Sequence, residues 1–173
     1  MQMVKRIIGA LLLFIILFWI LAPKEELYYL LEKRLKQENI VIAHEHVKDT
    51  WIGLKIEDAD IYLKGAKIAH IESLNISSFF LYNKVSILNL EFNKAMQNVA
   101  PKTIDNTTIL YSIMDPLHIK IDGIGSFGQL EGVVTLPERN IKLMIPQAKD
   151  IQPIKKFLKK DKTTGGWFYE TNY

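Results

Sequence analysis

The chain has 173 residues, and its 22 Lys and Arg against 19 Asp and Glu give a formal net charge of +3 at pH 7. This charge is too small to indicate nucleic acid as a partner, because nucleic-acid-binding domains carry concentrated positive charge. The chain contains no cysteine, which excludes disulfides, thiol catalysis and cysteine metal sites. The uneven distribution of apolar residues is therefore the most informative feature of the sequence.

The segment 7–22 contains no polar side chain other than the indole of Trp19, and its length approaches the roughly 20 residues that cross a bilayer as a helix. Lys5 and Arg6 precede it, and basic flanks stay on the cytoplasmic side. A cleaved signal peptide is the alternative, but the apolar run is long for one and no small-x-small cleavage site ends it. We therefore predict a cytoplasmic stub at 1–6 and a single-pass transmembrane anchor at 7–22 in a bacterial inner membrane, with the C-terminal part in the periplasm.

A short amphipathic, membrane-proximal helix is predicted at 23–39. Pro23 suits a first helical turn, and acidic residues near the start with basic residues near the end fit the helix dipole. Two partners remain open for its apolar face, namely the chain's own domain and a helix of another protein. That face collects leucines at helical spacing, Leu27, Leu30, Leu31 and Leu35.

From Ile40 onward the hydrophobic period changes to two residues, as in half-buried strands. Repeated alternating segments separated by turn residues predict an antiparallel meander with one apolar face. We therefore predict a mainly β periplasmic domain at 40–173, a curved, half-barrel-like antiparallel sheet. A bulge is predicted at 57–60, and turns are predicted at 83–84, 115–116 and 137–140.

The segment GIGSFG, residues 123–128, matches the dinucleotide-binding fingerprint G-x-G-x-x-G. That fingerprint binds phosphate only where a helix follows the glycines, and the following QLEGVVTLP has no room for one. We therefore predict no nucleotide site. Glycines also let strands bend and approach other backbones closely, and we interpret four of them as structural: Gly123, Gly125, Gly128 and Gly132.

The chain's end predicts a helix over 151–160 whose apolar residues Ile154, Phe157 and Leu158 pack on the concave face of the sheet. Gly165 and Gly166 then break the chain, and 167–173 predicts a last strand that pairs on a sheet edge. Lysines beside the apolar stripe predict either a solvated face or a strip for anionic headgroups or an acidic partner. The candidate interaction residues are Lys155, Lys156, Lys159, Lys160, Trp167 and Tyr169.

The order of these segments, with DGIGSFGQLEGVVTLPERNIKLMIP and the terminal GGWFYE, resembles the type II secretion system protein N family, which is similar to the wider group of AsmA-like envelope proteins. The best-matching parts are 125–136, 141–146 and 165–170, and the match over 52–77 is looser. The resemblance implies an inner-membrane accessory protein with a curved periplasmic β-domain. It implies no catalytic residues.

Other patterns give no chemical site. His44 and His46 have a spacing that metal sites use, but zinc would need at least a third ligand. Asp58 and Asp60 on a turn are typical of solvated carboxylates more than of calcium ligands. No nucleophile-elbow or zinc-protease motif occurs. We predict no catalytic residue, no metal, no cofactor and no enzyme activity.

Two functions follow from this sequence. The first is a non-enzymatic structural or assembly component of an envelope-spanning machine, such as a type II secretion-like or pilus-like apparatus or a flagellar motor. Its partners would be other proteins of that machine and, through the anchor, inner-membrane lipids, with oligomerisation inside the larger assembly. The second is an AsmA-like lipid-handling module that holds acyl chains in a β-groove. A scaffold would fill the concave face with its own helices, whereas a lipid carrier would leave an open apolar groove.

Overall fold

A computed structural model describes residues 6–7, 9–11, 13–14, 17, 21, 24–79, 81–96 and 98–173. Helix α1 (Lys24–Gln37) precedes the strands, and 3-10 turns lie at Lys94–Met96 and Lys155–Phe157. The strands are β1 (Ile40–Ala43), β2 (His46–Thr50), β3 (Gly53–Leu63), β4 (Ala66–Phe79), β5 (Tyr82–Phe92), β6 (Thr103–Ser112), β7 (Asp115–Gly125), β8 (Gly128–Thr135), β9 (Asn140–Ile145), β10 (Lys159–Lys160) and β11 (Trp167–Asn172).

The strands form one antiparallel sheet in the order β1-β3-β4-β5-β6-β7-β8-β9-β11-β10, and β2 also pairs with β3. From β3 to β9 each strand pairs with the next one along the chain, which confirms the predicted mainly β, antiparallel meander. The terminal strand β11 pairs with β9, and the short β10 lies outside it. The sheet thus ends on one side in a two-residue strand and on the other side in β1 and β2.

The two faces of the sheet differ in polarity because directly paired residues of neighbouring strands point to the same side. One transverse row is almost wholly apolar: Leu54, Ile76, Val85, Ile109, Ile121, Gly132, Leu143 and Tyr169. The next row, on the opposite face, is largely polar: Lys55, Asn75, Ser86, Thr108, Asp122, Glu131, Met144 and Phe168. We call the first side the apolar face.

Strands β3, β4 and β5 share an interruption of the two-residue period. Each strand has four apolar residues, and the steps between them along the chain are two, then three, then two residues. Because the longer step lies at the same place in all three strands, the apolar residues still pair in four rows across them. Asp58 and Asn89 lie in this interruption and have left-handed backbones, with φ of 55° and 47°; Asn and Asp tolerate this region better than most residues. The residues are Leu54, Ile56, Ala59 and Ile61 in β3, Ala69, Ile71, Leu74 and Ile76 in β4, and Val85, Ile87, Leu90 and Phe92 in β5.

Two clusters of buried residues lie towards the two ends of the sheet, and the partly buried Ile104 of β6 packs against both. In the first, Tyr28 of α1 packs on buried residues of β3, β4 and β5, including Ile56, which is 3% exposed. In the second, Phe127, Ile145 and Ile151 are buried together beneath the segment that follows β9. Burying one such aliphatic side chain contributes about 1.5–3 kcal/mol, so both clusters stabilise their end of the sheet.

The predicted transmembrane anchor at 7–22 is contradicted. Among the described residues no helix is long and apolar enough to cross a membrane, which would take about 20 apolar residues. Within 7–22, residues 8, 12, 15–16, 18–20 and 22 lie outside the described part, as does most of the stub at 1–6. The inner-membrane, single-pass location that depended on the anchor is contradicted with it.

The predicted helix α1 is confirmed, and of the two partners left open for its leucine face the structure shows the chain's own sheet, because Leu27 and Leu31 line a cavity with Leu54 and Ile76. Leu27, Leu30 and Leu31 are more than half exposed, and Tyr28 is the buried residue of the helix. The aromatic ring fills the space above β3, and its hydroxyl donates a hydrogen bond to Glu45 at 3.3 Å. The helix therefore contacts β1, β2 and β3 with Tyr28 buried, and two residues of its leucine face, Leu27 and Leu31, lie beside that contact.

The predicted C-terminal helix over 151–160 is also wrong. Only a 3-10 turn forms, at Lys155–Phe157, and Leu158 already has extended backbone angles before β10. The backbone N–H groups of Lys149 and Asp150 bond to the carbonyl oxygens of Phe127 and Ser126, which ties the start of the segment to the β7–β8 turn. Pairing with β11 then extends its end, and between these two anchored ends only the 3-10 turn is helical.

The four glycines differ in what surrounds them. A Cβ on Gly125 would lie 2.5 Å from the backbone oxygen of Thr103, and Gly128 has φ of +107° with its Cβ position overlapping the Gln147 carbonyl. A Cβ on Gly123 would meet the Thr107 hydroxyl at 2.9 Å, and one on Gly132 would meet the end of the Leu143 side chain. Rigid backbone therefore restricts Gly125 and Gly128, whereas side chains that can move restrict the other two.

Replacing Gly125 by Ala should lower the free energy of unfolding by about 1–3 kcal/mol, because the added methyl group displaces the backbone of β6. The matched control is Gly123→Ala in the same strand, which should cost less because the Thr107 side chain can rotate away. Urea unfolding of both variants measures the difference. Equal losses would contradict the assignment of Gly125 to close backbone contact.

Candidate functional site

The middle of the apolar face carries the clearest candidate site. Val85, Ile109 and Ile121 lie in adjacent strands of the apolar row, belong to neither buried cluster and keep part of their surface accessible. The helix covers β1 to β3, and the segment after β9 covers the other end. An apolar strip is thus left between two covered ends, as in a binding groove.

A cavity of about 340 Å³ lies on the apolar face beneath the segment after β9. Its size is at the lower end of the roughly 300–1,000 Å³ of small-molecule pockets. Apart from the Tyr169 hydroxyl, the side chains around it are apolar, so it offers few hydrogen bonds to a polar ligand. The lining residues are Pro101, Ile104, Phe127, Leu130, Leu143, Ile145, Ile154, Phe157, Leu158 and Tyr169.

A second cavity, of about 260 Å³, lies at the other end between α1 and β3–β4. Its walls include Leu27 and Leu31 of the helix and Leu54 and Ile76 of the sheet. Leu54 and Ile76 begin the same apolar row in which Leu143 and Tyr169 line the first cavity. At about 4.8 Å between strands, this row spans roughly 34 Å.

The structure brings most of the candidate interaction residues together beside the larger cavity. Tyr169 lines it, and Trp167 pairs with Ile145, another lining residue. The Nζ of Lys155 lies 5.4 Å from the centre of the Trp167 ring, and Lys160 pairs with Trp167 and so shares its face.

Two further lysines complete the group, and only one of them lies near the cavity. The Nζ of Lys156 lies 5.0 Å from the centre of the Phe157 ring, which lines the cavity. Lys159 pairs with Phe168, which belongs to the opposite, polar face. Three of the four predicted lysines therefore lie beside residues that line the cavity or pack next to it, and one does not.

A charged cluster around Asp60 was missed in the sequence. Asp60 is paired with Lys67 at 2.6 Å, with His70 at 2.8 Å and with His44 at 3.2 Å. His46, in contrast, pairs in register with Glu57, so the H-x-H residues do not converge. The described residues contain no group of three or more His, Cys, Asp or Glu side chains that could hold a metal ion.

Hydrogen bonds from its basic neighbours stabilise the ionised form of Asp60. Its pKa is lowered from 3.8 to about 2, first by the hydrogen bond from Lys67 and then by those from His70 and His44, against the opposing effect of desolvation. Lys67 and His70 lie on β4 and His44 follows β1. The carboxylate therefore fastens the β1–β2 connection to the sheet.

No protein-family model, no curated protein and no solved structure matches this chain. The resemblance to the type II secretion system protein N family and to AsmA-like proteins stays a prediction. The function proposed below follows from the geometry of the apolar face.

Asp60 should make stability depend on pH between about 4 and 2. Because its pKa is lower in the folded chain, its contribution is fully present above the ordinary value of 3.8 and is lost as the pH falls through about 2. Asp60→Asn should therefore destabilise the protein most above pH 4, with the difference from wild type shrinking towards pH 2. Urea unfolding between pH 2 and 6 measures this, with the exposed Asp105→Asn as control. A difference that does not vary with pH would contradict it.

Proposed function

We propose that this domain is a non-enzymatic binding module that holds an apolar chain, of the acyl type, against the apolar face of its sheet. One observation carries the proposal: an apolar row joins two apolar cavities and remains partly accessible between them. A scaffold that fills this face with its own helices would bury Val85, Ile109 and Ile121, which instead keep part of their surface accessible.

The driving force for such binding is the removal of hydrocarbon from water. Each buried methylene contributes about 0.8 kcal/mol, so even a part of an acyl chain lying across the middle strands gains enough to offset its loss of freedom. The middle of the apolar row contains no polar side chain, whereas the paired residues on the opposite face are largely polar. A ligand of this class would therefore be held on one face only.

The proposal predicts that a neutral apolar probe binds the middle strands. N-phenyl-1-naphthylamine should become fluorescent with the wild-type protein, and Ile109→Gln should weaken its binding about fivefold, since apolar contact is replaced by a polar group. Leu110→Gln is the matched control, because Leu110 pairs with Lys84 and Lys120 on the opposite face. Circular dichroism and melting temperature would establish that both variants are folded.

Two results would overturn the proposal. One is a wild-type protein that does not increase the fluorescence of the probe at any concentration at which it stays monomeric. The other is an equal weakening by both substitutions, which would show that the probe does not discriminate between the two faces. Retained binding in Leu110→Gln with loss in Ile109→Gln supports it.

A second candidate function, a structural component that docks on other proteins, is favoured by a different observation. Three neighbouring turns at one end of the sheet expose large apolar side chains, including Trp51, which is 83% exposed, and Met114, which is 91% exposed. Backbone hydrogen bonds from Ser78 to Ile52 and from Ile113 to Leu81 join these turns. Exposed apolar patches of this kind are typical of protein or membrane contacts.

The second candidate predicts protein contacts at these turns. A photo-crosslinking amino acid at Trp51 or Met114 should give discrete protein adducts in cells. The same group at Lys67, an exposed position near the other end of β4, should give few. Equal labelling at the two ends of the sheet, or none at the apolar turns, would contradict docking there.

A further inference from the structure

We infer that the larger cavity binds an anionic single-chain amphiphile, a long-chain fatty acid, with its carboxylate held by Lys155, Lys156 and Lys160. The inference rests on the proposed function and adds to it the ligand's headgroup and its position. It follows from the juxtaposition of an apolar cavity with a group of lysines on the same face.

The cavity fixes the apolar part of the ligand. A volume of about 340 Å³ with almost wholly apolar walls suits the body of one hydrocarbon chain more than the two chains of a diacyl lipid. The cavity lies on the same row as Ile121 and Ile109, so the far end of a long chain could continue along the sheet. The charged end must then lie on the side of β10 and β11.

Strand register places the positive charge at that end. Lys160 pairs with Trp167 and Trp167 pairs with Ile145, which lines the cavity. Directly paired residues share a face, so the Lys160 side chain lies on the cavity side of the sheet.

Contacts with aromatic rings hold the other two ammonium groups, one beside the wall residue Phe157 and one beside Trp167, which packs next to the wall residue Ile145. Lys155 lies over Trp167 and Lys156 over Phe157, and such cation–π contacts are favourable. The long lysine side chains are thereby kept beside the cavity. Their ammonium groups remain able to donate hydrogen bonds to a carboxylate, since the ring face takes up only part of their surface.

The charge of these lysines is not compensated by the neighbouring acids. Among the described residues, Lys155, Lys156 and Lys160 form no ion pair with a carboxylate. Asp161 accepts hydrogen bonds from Thr163 and Thr164 of its own turn. Asp150, on the other side of the cavity, pairs with Lys102 at 3.2 Å. The site therefore has a net positive charge that favours an anionic group.

Isothermal titration of the full chain with palmitate and with 1-hexadecanol, both below their aggregation concentrations, tests the inference. Palmitate should bind more tightly, and the triple variant K155Q/K156Q/K160Q should lose about tenfold in palmitate affinity, the size of one charge-assisted hydrogen bond. The affinity for hexadecanol should not change. The matched control is Lys159→Gln, in the same strand but on the opposite face, which should leave both affinities as in wild type.

The possible outcomes distinguish the assignment of the headgroup from the proposed function. Equal binding of palmitate and hexadecanol, unchanged by the triple variant, would overturn the headgroup assignment while the proposed function stands. An equal loss of both ligands in the triple variant would also overturn it, because the lysines would then support the cavity and not the carboxylate. Failure of both ligands to bind the wild-type protein would overturn the proposed function itself.

Discussion

The register between β3, β4 and β5 is the constraint on which the rest of the structure depends. In a regular strand one residue separates successive apolar side chains of the same face. Each of these strands has one place where two residues separate them, and the three places lie side by side in the sheet. Because the side chains of a strand alternate between faces, an interruption in one strand alone would turn half of its apolar residues to the polar side. Their alignment keeps Leu54 and Ile61 in paired apolar rows, and the cluster around Tyr28 forms on those rows.

A sheet of this width has more apolar surface than its few other elements can cover. One helix packs at one end and one irregular segment packs at the other, and the strands between them bury their side chains only in part. Under the proposed function, the same shortage that leaves the middle of the face partly exposed would make it available to a ligand. Stability and binding would then compete for the same side chains, which fits a candidate site that consists of ordinary core residue types.

The sequence could predict the strands and the first helix, because two-residue alternation and the helix dipole are local signals. It misplaced the turns expected at 83–84 and 115–116, since the chain reverses between the end of β4 at Phe79 and the start of β5 at Tyr82, and again at 113–114, where no glycine or proline marks the position. The C-terminal helix was wrongly predicted because hydrogen bonds to Phe127 and Ser126 override a pattern that fits helical spacing. The separation of Lys159 from the other lysines depends on pairing with a strand several residues away, which no local pattern contains.

The aligned interruptions at Asp58 and Asn89 also restrict how this chain can change in length. Deleting Asn89 would restore strict alternation in β5 and would shift Leu90 and Phe92 by one residue, out of register with their partners Ile71 and Ala69 in β4. The same deletion in all three strands at once would keep the rows matched, but no single genetic event produces it. Insertions and deletions should therefore be confined to the turns, and β3 to β5 should change in sequence much more readily than in residue count.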